Sequence, residues 1–78
     1  SLFSSRRLRI SVNHRKVFDQ WIPDHAYLLE SWVPREWLRP NGNVITITNL
    51  GKKPLIFDAI WVEKAAFGQK MCLTRPRR

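Results

Sequence analysis

Arg7-Leu8-Arg9-Ile10-Ser11-Val12 alternates polar and apolar residues without interruption. Successive side chains of an extended strand point to opposite faces. The pattern therefore places Leu8, Ile10 and Val12 on a buried face and the two arginines on the other, and it predicts a half-buried β-strand. Asn13-His14-Arg15-Lys16 breaks the alternation. Asparagine tolerates left-handed backbone angles, so a tight turn is expected here. Val17 and Phe18 then open a return strand that closes a first hairpin.

Downstream, residues 19–24 read as a loop containing Pro23, and residues 27–33 as a long strand ended by Pro34. Neither face of that strand is cleanly polar. Tyr27, Leu29, Ser31 and Val33 share one face, and Leu28, Glu30 and Trp32 share the other, so alternation leaves the inward side open. Proline suits the first position of a helical turn. Residues 34–38 predict one such turn, with Trp37 or Leu38 plugging the end of a core. Pro40-Asn41-Gly42-Asn43 is a strong turn signal. Val44-Ile45-Thr46-Ile47-Thr48 is rich in β-branched residues, whose stiff side chains favour strands. Residues 49–54 form a loop of hairpin length, punctuated by Gly51 and Pro54. Residues 55–63 read as the last strand. It is apolar on both faces except at Asp58, a composition expected in the middle of a sheet. The domain so predicted covers residues 5–66 as half of a β-sandwich, followed over 67–78 by a basic, irregular tail.

Composition narrows the classes. The chain has 78 residues, 44% of them hydrophobic, and a net charge of +8. A chain this short buries only roughly 60% of the surface its unfolded form exposes. Cys72 is the only cysteine, which excludes a disulfide framework. One Cys and two distant His give no zinc-ligand spacing. No apolar run is long enough to span a bilayer, and no signal-peptide pattern opens the sequence. The expected fold is an all-β, antiparallel sandwich of about five strands with one short helical turn. Five strands are few for two sheets that must cover each other. Another protein chain, a second copy or missing sequence is therefore expected to complete the core. Arg6, Arg7 and Arg9 stand near one end, and Arg75, Arg77 and Arg78 near the other. Such basic termini could hold nucleic acid or an acidic membrane through phosphates, or simply keep a small protein soluble, and Arg7 and Arg9 with Arg15, Lys16 and Arg6 could form a basic stripe on the first hairpin for single-stranded nucleic acid.

A wider order of elements carries a resemblance. A strand ends in Val12-Asn13, a later one in Trp32-Val33-Pro34. Leu38 precedes the Asn41-Gly42-Asn43 turn, Val44-Ile45-Thr46-Ile47 follows, and Phe57-Asp58-Ala59-Ile60-Trp61-Val62-Glu63 closes the series. This order resembles the C-terminal half of a galactose-binding-like jelly roll, as in carbohydrate-binding modules and in accessory domains of glycoside hydrolases and polysaccharide lyases. The likeness covers residues 8–63. It implies a jelly-roll-like sandwich, a non-catalytic association with carbohydrate and an extracellular setting. Two departures stand out. The family usually has Gly after Val-Asn, where this chain has His14, and a complete domain of the family is roughly twice as long.

Four tryptophans in so short a chain invite stacking on the C–H faces of sugar rings. Trp21 leads, with Gln20 and Asp24 beside it to bond hydroxyls, and Trp37 follows. The competing reading makes each Trp a core residue, most strongly Trp32 and Trp61, since Trp is buried on average. Asp58 is an acid in an apolar strand, and a buried carboxylate needs a partner. In the resembled family an acid at this place can help hold a structural calcium, which would be the only cofactor. Asp19 and the Asp24-His25 pair show no convergent acid–base geometry, and no catalytic motif accompanies them, so the chain is not expected to be an enzyme. Cys72, in the expected tail, reads as an incidental thiol.

Overall fold

A computed structural model describes residues 6–76. The expected domain start at Ser5, and Arg77 and Arg78 of the basic C-terminal end, lie outside the described residues. The fold is an all-β sandwich of two antiparallel sheets with one 3-10 turn. The strands are β1 (Arg7–Val12), β2 (Arg15–Trp21), β3 (Leu28–Val33), β4 (Ile45–Asn49), β5 (Ala59–Ala65) and β6 (Gly68–Thr74), with the turn η1 (Arg35–Trp37) between β3 and β4. One sheet has the order β2-β1-β4 and the other β3-β6-β5.

The alternating stretch forms the middle of the first sheet. Leu8, Ile10 and Val12 are fully buried, paired with β2 on one side and β4 on the other. Asn13 and His14 both have positive φ, at 50° and 68°. Two successive residues of this kind make the two-residue hairpin turn that matches strand twist. His14 thus holds a left-handed backbone where the resembled family uses Gly. Asn13 does further work through its side chain. Its Nδ2 donates to the Trp37 carbonyl at 2.6 Å and to Asn43 Oδ1 at 2.9 Å, and its Oδ1 accepts from the Val44 amide at 2.9 Å. These bonds pin η1 and the following turn to the hairpin. Trp37 and Leu38 pack against the core there, as the end plug their positions predict.

The register of β1 against β2 shifts between Ile10 and Ser11, which leaves Val17 as the extra residue of a bulge. A bulge strips a backbone group of its ladder partner. The Val17 carbonyl is met by the Ser31 hydroxyl from the opposite sheet. A polar residue on the inward side of β3 therefore satisfies an acceptor that would otherwise be stranded between the layers.

Two expectations are corrected. The irregular tail expected from residue 67 onward is overturned over Gly68–Thr74, which is the sixth strand and the middle of the second sheet. Met71 and Leu73 are fully buried and face Leu29, Ile60 and Val62 across the register. The 55–63 segment is not central. Its strand starts only at Ala59, pairs with β6 alone, and forms an edge. Ile56 and Phe57, expected within it, are exposed. The pairing of Ala59 with Thr74 sets this boundary, and the Asp58 amide donates to the Thr74 carbonyl at 2.8 Å just outside it.

Candidate functional site

Strand parity sorts the outward side chains of the two sheets. On the β3-β6-β5 sheet, Glu30 and Trp32 point away from the core on β3, Lys70 and Cys72 on β6, and Trp61 and Glu63 on β5. Trp32 lies opposite Lys70, Glu30 and Trp61 lie opposite Cys72, and Glu63 lies opposite Lys70. Trp32 is 54% exposed and Trp61 37%. The core assignment expected for these two residues therefore does not hold. Neighbouring strands are about 4.8 Å apart and residues about 3.3 Å. The two indoles, two strands and two residues apart, are thus separated by roughly 12 Å.

Lys70 and Cys72 lie on the strand between the indoles, each held by a neighbouring glutamate. Lys70 Nζ donates to Glu30 Oε2 at 2.7 Å and lies 5.9 Å from the Trp32 ring centre. The Glu30 hydrogen bond raises the Lys70 pKa, so the ammonium stays charged. The Cys72 thiol donates to Glu63 Oε1 at 3.1 Å. Burial first, and then the Glu63 and Glu30 carboxylates, push its pKa up to about 11. A thiol so protected is not a nucleophile at neutral pH. Gly68 lies beside Trp32, and its backbone angle rather than lack of space is what calls for glycine. A Cβ there would sit 3.7 Å from two atoms of the indole, and the glycine's φ of +147° is one that other residues rarely adopt. A groove of about 630 Å³ runs beside Trp32 toward Phe67, which is 93% exposed at the tip of the β5–β6 hairpin.

The residues singled out from sequence are dispersed. Trp21 ends β2 and is 55% exposed, with the Arg7 guanidinium 5.7 Å from its ring centre. Gln20 is exposed but alternates to the other side of β2. Asp24 lies beyond the strand and pairs with Arg6 at 2.7 Å. Trp37 is half-buried at the opposite end of the hairpin, with Arg15 5.4 Å from its ring centre. The fold does not bring Trp21, Gln20, Asp24 and Trp37 together. Asp58 is exposed in a bend before β5 rather than buried in a strand. Among the described residues no cluster of three His, Cys, Asp or Glu side chains could hold a metal ion.

Trp32 and Trp61 were legible as partners in one respect. Each shares its strand parity with a glutamate, Glu30 and Glu63, and a face that carries a charge is the face more often turned to water. What parity could not supply was β6, the strand that joins the two. Comparison with known protein families, with curated proteins and with solved structures gives no significant match to this chain.

Proposed function

We propose that the chain is a non-catalytic carbohydrate-binding or accessory β-sandwich module, with the outer face of the β3-β6-β5 sheet as its platform. One observation carries the reading: Trp32 and Trp61 are exposed on the same face, with Lys70 and Cys72 on the strand between them and Glu30 and Glu63 beside them. Indole planes pack on the C–H faces of pyranose rings, and carboxylates and an ammonium supply acceptors and donors for sugar hydroxyls. A linear oligosaccharide can reach both indoles at once. Screening wild type and the Trp32→Ala and Trp61→Ala variants against neutral glycans tests the platform. Each variant is expected to bind about tenfold more weakly, a loss of about 1.4 kcal/mol. Unchanged binding in both variants removes the platform from the proposal.

A second reading rests on the side of the sandwich between β4 and β5. Ile45, Ile60 and Val62 are only partly buried there, beside a cleft of about 540 Å³ that Leu38 and Gln69 also line. Sheet edges with unpaired backbone are templates for added strands. In that reading the chain is an assembly module that docks on a larger protein. A concentration-dependent increase in mass, or a co-purifying chain, favours it over the glycan reading.

A further inference from the structure

The outer face of the β2-β1-β4 sheet has a different chemistry. Arg7 and Arg9 point outward from β1, with Asp19 and Trp21 beside them on β2 and Thr48 opposite Arg9 on β4. Asp19 holds both arginines by their Nε atoms, Arg7 at 2.9 Å through Oδ1 and Arg9 at 3.2 Å through Oδ2. One carboxylate thus fixes two guanidinium groups, and its own side chain is only 11% exposed beneath them. Each arginine spends its inner edge on Asp19. None of the hydrogen bonds among the described residues engages their terminal Nη groups. The Arg7 guanidinium also lies over the Trp21 ring, which limits its rotation.

We propose that this face binds the sulfate esters of an anionic polysaccharide. The charge balance of Arg7, Arg9 and Asp19 leaves one net positive charge at the cluster, and Lys16 on the same face adds another. Guanidinium groups held in place lose little freedom when they pair with an oxyanion. A sulfate monoester has three terminal oxygens, which the outer edges of the two guanidinium groups gathered on Asp19 can share. A phosphodiester offers only two free oxygens. Single-strand nucleic-acid platforms also add stacking surfaces for successive bases, whereas the one indole on this face already carries Arg7. The inference concerns a different face from the neutral-glycan platform, so either one can fail without the other.

The test uses the intact chain with a heparin-derived hexasaccharide, polygalacturonate and an oligothymidylate as probes, in calorimetric titrations. The hexasaccharide is expected to bind most tightly, and its affinity to fall as salt rises from roughly 50 to 200 mM. The Arg7→Gln/Arg9→Gln variant is expected to bind at least about tenfold more weakly. The Arg39→Gln/Lys64→Gln variant removes the same charge elsewhere, and its loss is expected to stay under about twofold. Arg7→Lys/Arg9→Lys keeps both charges without the guanidinium forks and guards against a folding artefact; it is expected to fall between the two. Equal losses in both Gln variants, full affinity in the Lys variant, tighter binding of polygalacturonate or oligothymidylate, or no hexasaccharide binding at the lower salt would each overturn the proposal. Unchanged hexasaccharide binding in Trp32→Ala confirms that the two faces act separately.

Discussion

β1 and β6 occupy the same place in their sheets, yet only one of them announces it. Each is the middle strand of three, and each lays fully buried residues against the other layer: Leu8, Ile10 and Val12 from β1, Met71 and Leu73 from β6. Their outward positions differ. On β1 these are Arg7, Arg9 and Ser11, so polarity alternates with burial. On β6 the outward residue between Met71 and Leu73 is Cys72, which is itself buried under neighbouring side chains. The difference teaches that alternation marks a central strand only where its outer face meets water. Where flanking side chains roof the outer face, a central strand reads as a short apolar run.

The equivalence of the two strands can be broken by truncating their buried centres. Ile10→Ala and Leu73→Ala are each expected to cost about 2–5 kcal/mol in chemical denaturation, the usual range for emptying a filled core site. In a domain with a total stability of only about 5–15 kcal/mol, either change approaches unfolding. Near-equal losses mark the two strands as equal halves of one core. A Leu73→Ala cost below about 1 kcal/mol, the range of surface positions, would demote β6.

The contrast between the two outer faces is sharpened by the Cys72 thiol. With its pKa at about 11, its thiolate fraction at a pH of about 8 lies roughly two orders of magnitude below that of a free cysteine. Iodoacetamide should therefore label the native protein slowly and the denatured protein fast. Comparable rates in the two states would mean that Glu63 and the neighbouring strands do not cover the thiol.

The smallest effect is expected on the other face. The Arg7 hydrogen bond, aided by Arg9, holds the Asp19 pKa below its ordinary value, against an opposing effect of burial. A carboxylate depressed in the folded state contributes stability that is present above its unfolded pKa of about 3.9 and is lost as pH falls through the lower folded value. The denaturation midpoints of wild type and Asp19→Asn should therefore differ at pH 5 and converge as pH drops below about 4. Added salt should shrink the gap, because the pair is partly exposed. A gap that stays constant down to low pH would show that Asp19 acts by shape rather than by charge.

Much of the first sheet was legible. β1, the Asn13-His14 turn, the β-branched β4 and the end plug at Trp37 and Leu38 follow from residues close in sequence. Proline and Asn-Gly punctuation also marked η1 and the 39–43 turn within a residue or two. The second sheet was legible only in part. The ambiguous parity of β3 was real, because Trp32 faces solvent where a hydrophobic residue was expected to face the core. The Leu55-Ile56-Phe57 run suited a strand by composition, but β6 offers it no pairing before Ala59. The candidate site suffered most. Trp21 and Trp37 lie at opposite ends of one hairpin, while Trp32 and Trp61, far apart in the chain, share a face.

By itself the sequence determined that the chain is all-β, that β1 buries one face, and where the tight turns fall. These depend on backbone preferences and on alternation within a few residues, which act locally. Only the tertiary structure decided that Gly68–Thr74 is a central strand, that Cys72 lies under a roof of glutamates, and that Trp32 and Trp61 flank one platform. Those facts depend on which strands become neighbours, and strand pairing joins segments whose separation along the chain leaves no mark in local pattern.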